Sequence, residues 1–73
     1  MSTIPVTRFH FSLNGNKMGY IDAPNETIAW KLFKNISKSG VPVGTAVEKG
    51  AVVAEYNGSV ADFLVEAKAG KFD

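Results

Sequence analysis

The sequence predicts an α+β domain. A small antiparallel sheet, an N-terminal β-hairpin plus one or two later short strands, packs against a central α-helix, and a short C-terminal helix closes one end. Three observations predict it. Phe9, Phe11 and Leu13 alternate with Arg8, His10 and Ser12 up to an Asn14-Gly15 pair, the pattern of a strand entering a tight turn. Ile28, Ala29, Leu32, Phe33 and Ile36 recur at three- and four-residue intervals, which places them on one face of a helix. Residues 45–56 then return to a valine-rich β pattern bounded by glycines.

Taken in order, residues 1–5 read as a flexible tail, with Ile4 its one large side chain and Pro5 discouraging early strand pairing. The hairpin follows over residues 6–23. With Asn14 and Gly15 as the central pair of a type I′ turn, Phe11 opposes Met18 and Phe9 opposes Tyr20, so the large apolar side chains share one face. Arg8, His10, Ser12, Lys17, Gly19 and Ile21 then make up the other, half-polar face. A two-residue slip of the turn keeps the same faces, so the register stays open.

The central helix is expected over residues 25–39. Asn25 can cap it by accepting from an amide of the first turn, and Glu26 sets negative charge at its positive end. Lys34 and Lys38 suit the opposite end, Gly40 can take the left-handed C′ conformation, and Pro42 cannot continue the helix. Val41 would then touch Ile36. Trp30 falls on the flank of the apolar stripe, beside Lys34. It is either covered by a tail residue such as Phe72 or left open as an anchor for a partner.

Beyond the helix, residues 45–47 and 51–56 read as two short strands separated by a turn at Glu48-Lys49-Gly50. Ser59-Val60-Ala61-Asp62 resembles a capping box, and Val60, Phe63, Leu64 and Ala67 continue at helical spacing, giving a second helix over residues 59–69.

At 73 residues the chain makes one domain, and without cysteine its core must stand without disulfides. A hydrophobic content of 45% and an aromatic content of 11% favour a folded globule over a disordered segment. No apolar run is long enough to cross a bilayer and the first residues lack a signal-peptide core, so no membrane association and a cytoplasmic location are expected. Net charge is +1, too little for diffuse attraction to phosphate backbones. Its distribution is uneven: residues 1–40 carry five basic against two acidic side chains, a balance of +3, and residues 41–73 carry three against five, a balance of −2. Such asymmetry orients a docking partner.

The inventory of chemistry is short. His10 is the single histidine and has neither cysteine nor a convergent carboxylate set around it, so no metal ligand is picked out. Gly40, Gly44, Gly50 and Gly58 match neither a Walker loop nor a dinucleotide fingerprint, and Asp62 and Glu66, one helical turn apart, read as solvated. No catalytic, cofactor-binding or metal-binding residue is expected, and the chain reads as a non-enzyme. Single-stranded nucleic-acid binding is the rival reading, with Phe9, Phe11 and Tyr20 stacking bases beside Arg8 and Lys17. Those aromatics are the ones needed to cover the helix, which makes direct nucleic-acid binding the weaker reading.

The hairpin FHFSLNGNKMGYIDA, the helix opening PNETIAWKLF and the β-rich second half together resemble the small host-takeover proteins of lytic phages. In length, lack of cysteine and opening stretch the chain looks most like the small RNA-polymerase-binding transcription regulators of Xanthomonas phages. The resemblance spans essentially the whole chain. It implies binding to the N-terminal part of the host polymerase β′ subunit, inhibition of host transcription initiation through loss of the σ factor, and antitermination on phage templates. It carries no residue motif, so the contact residues are chosen on physical grounds: Ile4, Arg8 and His10 as one patch, Trp30 and Lys34 as a second. The chain is expected to act as a monomer. A phage inhibitor of another host protein, such as a nuclease, would need no more than the same kind of folded surface.

Overall fold

The Asn14-Gly15 turn sets the geometry of the sheet. In the computed structural model, which describes residues 3–37 and 40–70, Asn14 has φ 51° and Gly15 φ 85°. Both are in the left-handed region that a type I′ turn demands, and Leu13 and Asn16 face each other across it. The turn joins β1 (Thr3–Leu13) to β2 (Asn16–Ala23). On its other side β1 pairs antiparallel with β3 (Thr45–Asn57), so the sheet order is β2-β1-β3 with the first strand in the middle. Helix α1 (Glu26–Ile36) lies between β2 and β3 in the chain, and α2 (Val60–Lys68) follows β3. The α+β class read from the sequence is the architecture found.

Three element boundaries differ from expectation, each for a local reason. β1 begins at Thr3 and takes in Ile4 and Pro5, which pair with Tyr56 and Glu55. Proline is tolerated there because β2 stops opposite Thr7, leaving β1 paired on one side only beyond that point. The two short strands expected over residues 45–56 are one strand of 13 residues that runs straight through Glu48-Lys49-Gly50. Gly50 is needed for close approach: a Cβ there would lie 2.6 Å from the Arg8 carbonyl oxygen. The strand accommodates the extra length through two irregularities against β1, one between Val6 and Thr7 and one between Thr7 and Phe9. Finally, α1 ends at Ile36 with Ser37 as its C-cap, ahead of Gly40, which does have φ 93°. Ile36 is left 69% exposed, so the expected contact with Val41 does not cover it; Val41 packs on the core. Lys38 and residue 39 lie outside the described residues.

The helix starts follow the sequence closely. Asn25 Oδ1 accepts from the Ile28 amide at 2.9 Å. Ser59 Oγ accepts from the Asp62 amide at 3.2 Å while the Asp62 carboxylate accepts from the Ser59 amide at 3.4 Å, closing the capping box.

The core gathers Val6, Phe9, Phe11 and Ala23 of the sheet, Ile28, Ala29 and Phe33 of α1, and Phe63 of α2. Phe33 stacks on Phe11 with ring centroids 4.4 Å apart, which seats α1 on the face of β1 that carries Phe9 and Phe11. Val6 and Thr7 are both buried although neighbours on a strand point to opposite faces, so β1 is covered on both faces at this point. Phe63 of α2 is fully buried in the same cluster as Val6 and meets Tyr56 edge-on at 5.5 Å, and Tyr56 pairs with Ile4 on the Val6 side of β1.

Candidate docking surface

A single extra residue in β2 decides which side chains face outward. Ser12 pairs with Lys17, but Phe11 pairs with Gly19, which leaves Met18 as a bulge next to a glycine at φ 142°. The side-chain period of a strand is two, so one added residue exchanges the faces of everything beyond it. Tyr20 therefore opposes His10, Ile21 opposes Phe9, and Asp22 opposes Arg8. The sequence-based pairing of Phe9 with Tyr20 and Phe11 with Met18 is corrected accordingly. Gly19 and Ile21 join the helix-facing side, and Tyr20 and Asp22 join Arg8 and His10 on the outer one.

That exchange builds a connected cluster. Arg8 Nε donates to Asp22 Oδ1 at 2.9 Å and Nη2 to Asp22 Oδ2 at 3.2 Å, a bidentate ion pair across the strands. The guanidinium carbon sits 4.0 Å from the centroid of the Tyr20 ring. The hydrogen bond to Asp22 raises the Arg8 pKa above its ordinary value, against a smaller opposing effect of desolvation. Tyr20 is 55% exposed, and exposed His10 meets it at 6.1 Å between tilted rings. Glu48 of β3 stands on the far side of His10 and is also exposed, so a row of Tyr20, His10 and Glu48 crosses all three strands. Beside the row, an open trough of about 810 Å³ runs from Arg8, Tyr20 and Asp22 to Leu32 of α1 and Ala67 and Lys68 of α2.

The residues singled out in the sequence do not all come together. Arg8 and His10 belong to this cluster. Ile4 lies on the same side of β1 but is half-buried, and the buried Val6 separates it from Arg8. Trp30 lies on the opposite face, half-buried, with its ring edge-on to Phe11 at 5.3 Å and to Phe33 at 6.1 Å. It packs against the core cluster, and Phe72, the tail residue considered as its cover, lies outside the described residues. Lys34, one turn along α1 from Trp30, is exposed. The two candidate patches thus occupy opposite faces of the sheet. Phe9 and Phe11 are buried at 3% and 2% exposure, so of the three aromatics considered for base stacking Tyr20 is the one open to solvent.

Sequence reasoning missed Tyr20, Asp22 and Glu48 as members of the surface. For the first two a signal existed, since an isolated glycine within a strand pattern marks a bulge, and Gly19 is such a glycine. A second polar contact lies on α2, where Glu66 accepts a hydrogen bond from the Tyr56 hydroxyl. That bond, desolvation and the nearby charges of Glu66 and Asp62 push the Tyr56 pKa up to about 12. Among the described residues no group of three or more His, Cys, Asp or Glu side chains is placed to hold a metal ion, and no helix is long and apolar enough to cross a membrane. Comparisons with protein-family models, curated proteins and solved structures find no match to this chain.

Proposed function

We propose that this protein is a transcription regulator that docks on host bacterial RNA polymerase, inhibits host initiation through loss of the σ factor, and acts as an antiterminator on phage templates. The observation that carries a docking role is the Arg8–Asp22–Tyr20 cluster on an open sheet face. Arginine and tyrosine contribute disproportionately at protein interfaces, and here the arginine is already fixed by a carboxylate and a ring, so little rotamer freedom is left to lose on binding. The sheet face, with His10, Glu48 and the rim of the trough beside it, suits the roughly 800 Å² per partner of a standard interface. The choice of polymerase, and of the N-terminal region of its β′ subunit, rests on the resemblance of the whole chain to phage regulators.

Capture of purified bacterial RNA polymerase by the immobilised protein tests the reading. Wild-type protein is expected to retain the enzyme, and Arg8→Glu and Tyr20→Ala, each confirmed folded by circular dichroism, to weaken retention by about tenfold or more. Lys34→Glu and Trp30→Ala probe the opposite face in the same assay. Full retention by both outer-face variants removes that face from the interface. If wild-type protein ignores polymerase and instead co-elutes with a host nuclease, or binds single-stranded nucleic acid in a salt-sensitive manner, the polymerase reading is wrong.

A further inference from the structure

β3 is a terminal strand of the sheet, so its outward edge pairs with no strand among the described residues. From Ala51 to Glu55 every residue is exposed, with Val52 at 60% and Val53 at 43%. Val52 lies opposite Thr7 and Ala54 opposite Val6, neighbours that face opposite sides of β1, and both are exposed, so both faces of this stretch are open as well as its edge. A valine-rich edge with no proline and free backbone donors and acceptors recruits another strand unless something blocks it.

The charges that flank the valines indicate which strand. We propose that β3 pairs antiparallel with β3 of a second copy of this chain about a two-fold axis at Val52, joining two three-stranded sheets into one. In that register Lys49 of each copy stands opposite Glu55 of the other, Ala51 opposite Val53, and Val52 opposite Val52. The exposed valines then stack between two symmetric ion pairs. Other arrangements are penalised. Parallel pairing in register sets Lys49 against Lys49 and Glu55 against Glu55. Sliding the antiparallel register by one residue one way sets Glu48 against Glu55, and the other way leaves Lys49 facing Tyr56 and Glu55 facing Gly50.

The two irregularities of β3 against β1 fall in this stretch and twist its edge away from a wide flat sheet, which limits how far a second strand can follow it. The contact is therefore confined to residues 49–55. A patch of that size falls short of the roughly 1,200 Å² of stable interfaces, so the dimer is weak and concentration-dependent. None of this depends on the partner proposed above, because the paired edge is distinct from the Arg8–Tyr20 cluster.

Sedimentation equilibrium of the full chain between about 10 µM and about 1 mM reads the association directly. Wild-type protein is expected to pass from monomer to dimer across that range. Lys49→Glu, which replaces two attractions by two repulsions, is expected to raise the dimer dissociation constant about tenfold or more, and Lys49→Glu combined with Glu55→Lys to restore it. Both side chains are exposed, and circular dichroism checks that each variant folds; Glu55→Lys alone serves if Lys49→Glu does not. A wild-type protein that stays monomeric throughout, as the sequence alone suggested, overturns the proposal. So does a single reversal that dimerises as tightly as wild type, or a double swap that fails to recover association.

Discussion

The fold shifts the titration of Tyr56 strongly. Its phenol lies beside Glu66 and Asp62 and donates to the former, so ionisation would set a third negative charge among them. The folded pKa of about 12 exceeds the ordinary value of 10. The native state thus holds the proton more tightly, and the associated stability is fully present below about pH 10 and lost as pH rises through about 12. Ultraviolet titration of phenolate absorbance should show a component near pH 12 that Tyr56→Phe removes. The ring has a second constraint: a Cβ on Gly58 would lie 2.7 Å from its Cε2, and Gly58 itself has φ 151°. Gly58→Ala is expected to cost about 1–3 kcal/mol, measured by urea denaturation. Neither effect is legible in the sequence. Gly58 can be read there as a turn, but Glu66 meets Tyr56 only once α2 has packed on the sheet.

At the scale of elements, signals within a few residues of each other are readable and pairings between distant segments are not. Asn25, the Ser59–Asp62 capping box and the Asn14-Gly15 turn each satisfy backbone groups of their immediate neighbours, and all three form as expected. Asn25→Ala should lower stability by about 1 kcal/mol, seen as a reduced denaturation midpoint at unchanged slope. Gly50 misleads because a glycine in a turn and a glycine under a neighbouring carbonyl leave the same mark in one sequence. The Met18 bulge is the consequential miss, since it transfers Tyr20 and Asp22 to the outer face. Gly19 sustains it at φ 142°, and a Cβ added there would find nothing within 4 Å, so a side chain meets conformational strain without a clash. Gly19→Val is expected to cost about 1–3 kcal/mol and to disfavour the bulge. The ring-current shifts that Tyr20 imposes on the Arg8 side-chain protons should diminish in parallel. Preserved shifts at wild-type stability would show that the bulge does not need glycine.

The whole molecule depends on few buried side chains. Phe63 is the single buried residue of α2 and is fully enclosed, so Phe63→Ala is expected to cost about 3–5 kcal/mol. Small domains hold only about 5 kcal/mol in total at the low end of the usual range, so this variant should be largely unfolded at 37 °C by circular dichroism. Through Phe63 and its contact with Tyr56, helix α2 also joins the end of β3 to the cluster that holds Val6. The strand order has a consequence for how the protein is made. The central strand precedes both of its neighbours in the chain, yet one of them ends at Asn57, which pairs with Thr3. A nascent chain can close the hairpin and wind α1 early, but β1 keeps one flank unsatisfied until the segment through Asn57 has emerged, so the sheet is completed in a late, nearly all-at-once step.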